Sequence, residues 1–142
     1  MANTTLKTTD LVIAAASRVF AVAALLELDL TLSDLDDTLS ESTIQERVKD
    51  VIRAIKCLPQ SASLRGFAWA ICVAGSAAQE AQQTFFDGLL CNILAHTTQG
   101  LTNFGTVSNI IRHCWSRRNV ELHKRWTWRD SMESMGICAL LV

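Results

Sequence analysis

The stretch LRGFAWAICVAGSAA, residues 64–78, decides how this chain folds. After Arg65 every residue in it is apolar or small, so a helix formed here has no polar face to turn to water and must be covered on all sides. Four of its residues, Gly66, Ala70, Ala74 and Gly75, are small enough to let a neighbouring helix come close. The stretch therefore predicts a buried helix at the centre of the domain.

Amphipathic patterns on both sides of this stretch predict the helices that cover it. A capping-box pattern at Ser42 opens one of them, and Leu58-Pro59 ends it, because proline cannot donate a backbone hydrogen bond. Further apolar stripes at helical spacing follow residue 79 and Asn103. We expect these helices at about 42–57, 79–96 and 104–118, with a turn at 97–102 and a short last helix that Thr127 and Asp130 begin and Gly136 ends.

The beginning of the chain predicts a flexible segment, a buried helix and a loop. Residues 1–10 are polar, and Asp10 can cap a helix from Leu11 to about Glu27 that is apolar nearly all round. From Leu28 to Ser40 leucine alternates with aspartate and serine, which is too acidic for a core strand. We expect a loop that touches the domain through its leucines, and a disordered acidic-hydrophobic activation segment is the alternative.

Together these patterns predict an all-α protein, a single compact bundle of about six helices over residues 11–142. With 142 residues, the chain has the usual length of one domain. Its mean hydropathy of +0.22 is high for a soluble protein of this size. We therefore expect either a thoroughly packed core or an apolar surface that needs a partner.

The cysteines and the first apolar run indicate in which cellular compartment the protein lies. The five cysteines have no C-x-x-C spacing, which predicts reduced, buried thiols in an intracellular protein rather than disulfides or a zinc site. The run from Leu11 to Leu26 has no basic leader and contains Arg18. The run is also shorter than a bilayer-spanning helix needs, so we expect neither a signal peptide nor a membrane span.

No constellation of residues predicts catalysis or metal binding. Asp36 and Asp37 are adjacent and point apart, and the neighbours His113 and Cys114 do not face each other on a helix. We expect His113 beside Arg117 on a polar face, and His123 has no second ligand at metal-binding spacing. The sequence thus predicts no catalytic residue, no metal and no cofactor, and it favours a non-enzymatic protein without deciding the matter.

Charge is divided unevenly along the chain. Residues 27–41 carry six acids and no base, whereas residues 112–129 carry six Lys or Arg against the single Glu121, so the two regions could attract each other. The basic region also contains Trp115, Trp126 and Trp128, a combination that could bind phosphates and stack bases. We favour the alternative, in which tryptophans anchor the core and the cations pair at the rim with acids such as Glu121, Asp130 and Glu133.

Three stretches resemble the C-terminal part of the regulatory domain of fungal zinc-cluster (Zn2Cys6) transcription factors: LVIAAASRVFAVAALLEL, the run from Leu64 to Leu90, and NFGTVSNIIRHCWSRRN followed by WTWRDSMESMGICALLV. The most specific parts are Ala68-Trp69 with Cys72-Val73-Ala74-Gly75, Trp115 before a basic stretch, and the Trp128, Met132, Gly136 tail. The family's six-cysteine DNA-reading cluster has no counterpart here, and Ala70 stands where family members often have proline. We therefore expect a chain without that module, in which some of the helices that normally cover the surface of the regulatory domain are also missing.

The resemblance implies a transcription-regulation domain, effector-responsive or protein-binding, located in the nucleus, with the cytoplasm as the other compartment. It implies a protein partner or self-association, for instance as a dimer, through apolar faces, or a small apolar effector, with no sequence-specific nucleic acid binding and no membrane. The alternative is a free-standing small-molecule-binding protein, or an isomerase or cyclase of fungal secondary metabolism, with an acid and a histidine in an apolar pocket. Structural or pocket candidates are Trp69, Phe85, Phe86, Trp115, Trp128 and Met132.

Overall fold

The computed structural model describes residues 2–35, 40–60, 62–96, 103–118, 120 and 125–138. Within these ranges the chain forms α-helices and no strand, which confirms the all-α prediction. The helices are α1 (Ala2–Leu35), α2 (Glu41–Lys56), α3 (Ala68–Ala77), α4 (Glu80–His96), α5 (Phe104–Arg118) and α6 (Trp128–Met135). A short 3-10 turn, Leu64–Phe67, leads directly into α3.

Helix α3 is the centre of the bundle, as its composition predicts. It contacts each of the other five helices, and every residue from Ala70 to Ala78 is buried. Gly75 lies close against α5, because a Cβ built there would lie 2.7 Å from Cδ1 of Ile111. A glycine at this position therefore sets the spacing between α3 and α5.

The covering helices bury the stripes that their patterns predict, with a few differences. Helix α2 begins after Ser40, whose hydroxyl accepts from the amide of Thr43, so the cap lies two residues before the expected Ser42. On α4, Phe86, Leu90 and Ile93 are buried but Leu94 is exposed. On α5, Ser108 is buried and not outward as its polarity suggests. The predicted turn at 97–102 lies outside the described residues.

Helix α1 differs most from expectation. It begins at Ala2 within the segment expected to be flexible, and it continues to Leu35 through most of the expected loop. The hydroxyls of Thr31 and Ser33 donate back to the carbonyls of Glu27 and Leu30, at 2.9 and 2.8 Å, so they do not compete with the helix. Residues 36–39 of the expected loop lie outside the described part. The flexibility of 1–10 and the domain boundary at residue 11 stay predictions.

Only one face of α1 is buried, although its composition predicted a fully buried helix. The buried residues are Val19, Ala23, Leu26 and Leu30, and α1 packs on α2 and α3. The segment from Lys7 to Ser33 is long and apolar enough to cross a membrane by length and composition: its most apolar 18-residue window has a mean hydropathy of 2.1, and only 17% of that window is buried. The length of this segment contradicts the expectation that the apolar run beginning at Leu11 is too short to cross a membrane. Core helices and signal sequences meet the same criterion, and the absence of a membrane stays a prediction.

Candidate functional site

A shallow cleft opens where the C-terminal end of α3 meets the segment that leads into α6. Its walls come from α1, α3, the end of α5 and the residues around the N-terminus of α6, and its lining consists of Leu30, Val73, Ser76, Ala77, Arg118, Arg125, Trp126, Thr127 and Trp128. Two arginines and two tryptophans therefore face the space beside the end of the central helix. This is the candidate site of the protein.

Arg118 holds the end of α3 by its guanidinium group. It donates to the carbonyl oxygens of Ala77 and Ala78, at 3.5 and 2.5 Å, and also to that of Ser76. The last carbonyls of a helix have no partner within the helix, and a cation there also interacts favourably with the helix dipole. Burial lowers the pKa of Arg118, but a guanidinium stays charged in proteins. Arg118 is thus a structural cap, with its donors turned toward the backbone.

Arg125 and Glu41 join the segment before α6 to the start of α2. Their closest atoms, Nη2 and Oε2, are 2.6 Å apart, and Gln79 donates to the other carboxylate oxygen. Burial by itself would raise the pKa of Glu41, but hydrogen bonds and the charge of Arg125 bring it below its usual value. The acidic and basic regions of the sequence do attract each other here.

Trp128 and Arg129 make the second link between these regions. The indole Nε1 of Trp128 donates to Oε2 of Glu27 at 2.9 Å, and the guanidinium of Arg129 lies 2.5 Å from Oε1 of the same carboxylate. The Arg129 guanidinium also lies over the Trp128 ring, 5.1 Å from its centroid. Glu27 therefore anchors the first turn of α6 to α1.

The fully buried hydroxyl of Ser131 connects α5 with α6. Trp126 Nε1 donates to it at 2.7 Å, His113 Nδ1 lies 2.8 Å away, and Cys114 Sγ lies 3.0 Å away. A hydroxyl offers one donor and two acceptor positions. It is satisfied if its proton goes to His113 Nδ1 while the indole and the thiol donate. His113 thus turns toward α6 and is half-buried, not on an open polar face as expected, although it and Arg117 both lie beside the Trp126 ring.

Behind the cleft lie two thiols and a hydroxyl in an apolar setting. Cys72 and Cys114 are buried, and burial raises the pKa of both thiols, that of Cys72 to about 12. The buried Ser76 hydroxyl has no well-aligned hydrogen-bond partner among the described residues. It lies near both thiols, and its presence offsets part of the rise in their pKa. Nucleophilic chemistry needs a thiolate, so these two cysteines are inert.

The thiols divide into two classes that chemical labelling should separate. Cys57, Cys91 and Cys138 are exposed, which corrects the expectation that all five thiols are buried, and all five are free. We expect a thiol reagent such as Ellman's to titrate three thiols per folded chain quickly and the remaining two only when urea is added. Mass spectrometry after labelling should place the slow pair at Cys72 and Cys114. Rapid reaction of all five in the folded protein would contradict this packing.

The structure does not gather the candidate residues of the sequence into one site. Trp128 lines the cleft, and Phe86 is fully buried. The others are partly buried and pack against the core: Trp69, Phe85, Trp115 and Met132. Trp115 also donates its indole N–H to the carbonyl of Gly75 at 2.8 Å. Whether any of them contacts a ligand stays a prediction.

Sequence reasoning placed Glu27 and Arg118 in two regions of opposite charge but missed the specific contacts by which these residues and Ser131 hold the site together. Most of their partners lie far away in the sequence, and a single sequence does not show which residues of two such regions meet. The capping box of α6 was visible, since Thr127 and Asp130 do bond each other's backbone amides. Gly136 ends α6 in the left-handed conformation with φ 65°, as expected.

The arginines of the basic region are occupied within the chain. Arg112 pairs with Asp87 at 2.6 Å, and the Arg117 guanidinium lies over the Trp126 ring, 5.4 Å from its centroid. Arg118, Arg125 and Arg129 have the partners described above. The described arginines therefore form a paired rim, as expected, and the acids that the structure shows in it are Asp87, Glu41 and Glu27. Glu121, His123 and Lys124 lie outside the described residues.

Comparison with known proteins points to one family. The sequence model of the fungal specific transcription factor domain matches residues 2–142. A protein of Fusarium sporotrichioides named trichothecene biosynthesis transcription regulator TRI10 is 26% identical over 125 residues, 88% of this chain and 29% of the relative. The protein of the same name from Trichoderma arundinaceum is 30% identical over 114 residues, 80% of this chain and 24% of the relative. The chain thus spans less than a third of either relative, and no solved structure matches it.

Proposed function

The chain belongs to the family of fungal specific transcription factor domains, a class of transcription-regulation domains, and from that premise we propose that it controls secondary-metabolite genes through contacts with other proteins. The observation that carries the proposal is the match over residues 2–142. The two relatives are named as regulators of trichothecene biosynthesis, which supports biosynthetic genes as the target class. The proposed place of action is the nucleus.

The charge arrangement supports a role that does not include reading DNA. Affinity for nucleic acid comes largely from cations that are available to neutralise phosphates. The five described arginines between 112 and 129 are engaged with carboxylates, backbone carbonyls or an indole ring. We therefore assign DNA recognition to another protein or to another part of a longer one.

The size of the cleft favours protein contacts over a small effector. Its cavity volume is about 10 Å³, room for about one water molecule, against roughly 300 to 1,000 Å³ for ordinary small-molecule sites. Its lining contains neither a histidine nor a carboxylate, so it does not supply the acid and the histidine that an isomerase or cyclase was expected to use. The surface offers more for a protein partner, because eight large apolar side chains are exposed on the described part of the chain.

Gene deletion with transcript sequencing tests the proposal. Removing the gene in the source organism is expected to lower a group of biosynthetic transcripts together, and the wild-type gene should restore them. The purified chain should not shift promoter DNA at moderate salt, and a fluorescently tagged chain should collect in the nucleus. An unchanged transcript profile in the deletion strain would refute the regulatory role. Tight DNA binding by the chain alone would refute the assignment of DNA reading elsewhere.

A further inference from the structure

One face of α1 is apolar and uncovered on the side away from the core. Its four leucines are well exposed, Leu11 by 68%, Leu25 by 43%, Leu28 by 53% and Leu32 by 44%. Ala14 and Ala21 lie on the same face and are also exposed. These six residues, together with Arg18, are called the outer seam below.

The outer seam has the spacing of a coiled coil. Its seven positions, from 11 to 32, are separated alternately by three and four residues, which is the heptad pattern over three repeats of seven residues. The buried face of α1 shows the same alternation at Val19, Ala23, Leu26 and Leu30, and α2 and α3 cover it. The helix therefore carries two seams of the same kind, and only one of them is covered.

We propose that the outer seam pairs with the α1 helix of a second copy of this chain, in antiparallel orientation. When the two-fold axis passes beside residue 23, Ala14 faces Leu32 of the second copy and Ala21 faces Leu25 of the second copy. Each small residue then meets a large one, which fills the space between the helices. A parallel pair in register would instead place alanine on alanine and leucine on leucine.

Arg18 selects the same orientation. It is the one charged residue of the outer seam, and it makes no ion pair within the described part of the chain. In a parallel pair it would face its own copy, and like charges that face each other at a seam are unfavourable. In the antiparallel pair it faces Leu28, where its long aliphatic stem can pack and its charge can reach solvent.

The charges along α1 disfavour the parallel arrangement. The N-terminal half carries Lys7 and Arg18 with one acid, Asp10, and a parallel pair would set these cations beside their own copies, which antiparallel pairing avoids. The acids Glu27 and Asp29 of the C-terminal half are only 13 and 14% exposed and pair with Arg129 and Arg47 within the chain. They therefore add little to the affinity of the pair.

Light scattering coupled to gel filtration tests the pairing, and it is independent of the regulatory role. The full chain is expected to elute as a dimer, with twice the 15.6 kDa mass of one copy. The double variant Leu25→Glu, Leu28→Glu should elute as a monomer with an unchanged helical circular dichroism spectrum. The matched control is Leu94→Glu on α4, which changes a leucine of similar exposure, 41%, and should stay dimeric.

Cysteine cross-linking tests the orientation without disturbing the seam by charge. Cys57, Cys91 and Cys138 are first replaced by serine. A mixture of Ala21→Cys and Leu25→Cys chains should then form a disulfide between the two variants, whereas a parallel pair would link each variant to itself. Cross-linking only between identical variants overturns the antiparallel geometry. A wild-type chain that stays monomeric at high micromolar concentration, or that is monomeric and floats with anionic phospholipid vesicles through α1, overturns the pairing.

Discussion

An Arg118→Met variant is expected to lose about 2 to 4 kcal/mol of unfolding free energy, because three backbone carbonyls at the end of the central helix would lose a charged donor. Methionine keeps an aliphatic stem of similar length, so the loss reports on the guanidinium and not on packing. Urea denaturation followed by circular dichroism measures it. Total stabilities of small domains are about 5 to 15 kcal/mol, so the loss would be a large fraction.

Arg112→Met is the control for this measurement. Arg112 also donates from its guanidinium, to the carboxylate of Asp87, but both side chains are about half exposed, at 52 and 48%. Exposed pairs contribute about 0 to 1 kcal/mol. Equal losses for the two variants would show that Arg118 is only another surface cation and that the end of α3 is held in some other way.

The same substitution at two helical glycines is expected to have opposite effects. Gly75→Ala places a Cβ 2.7 Å from Cδ1 of Ile111 and 3.3 Å from Cδ1 of Phe86, both fully buried side chains. Moving these two side chains away from the new Cβ should lower the free energy of unfolding by about 1 to 3 kcal/mol. Gly88→Ala meets nothing within 4 Å inside α4, and it should stabilise the protein by about 0.5 to 1 kcal/mol, because alanine is the better helix former.

Thermal and urea unfolding of both glycine variants measure these effects side by side. Gly75 also presents its carbonyl to the indole of Trp115, so tryptophan fluorescence should change in Gly75→Ala and stay unchanged in Gly88→Ala. If Gly75→Ala were as stable as the wild type, Ile111 would have room to move, and the close approach of α3 and α5 would not depend on glycine.

Predicting the helices from the sequence succeeded wherever hydrophobic periodicity was clear. The stripe of α2 around Val48 and Val51 is buried as expected, and so is the stripe of α5 around Val107 and Ile110. The capping residues predicted both ends of α6 correctly, because Thr127 and Asp130 lie at its start and Gly136 lies at its end. These features are local, and a local pattern is what a single sequence shows directly.

Helix α1 shows where local reading fails. The acidic, leucine-containing stretch after Glu27 has the composition of a loop, yet it stays helical to Leu35. Long-range contacts hold it: Leu30 is buried in the core, and Asp29 pairs with Arg47 of α2 at 2.7 Å. Contacts of this kind commonly override the weak helix or loop preferences of individual residues.

The amino-acid sequence is enough to predict an all-helical protein, a central helix within residues 64–78 and a division of charge into an acidic and a basic region. It is enough because periodicity, residue size and charge are properties of neighbours along the chain. The folded arrangement of the helices settles which polar residues meet, such as Glu27 with Trp128 and Arg118 with the end of α3. It also decided which face of the apolar helix α1 is buried, because a helix that is apolar nearly all round carries no mark of the side its neighbours will cover.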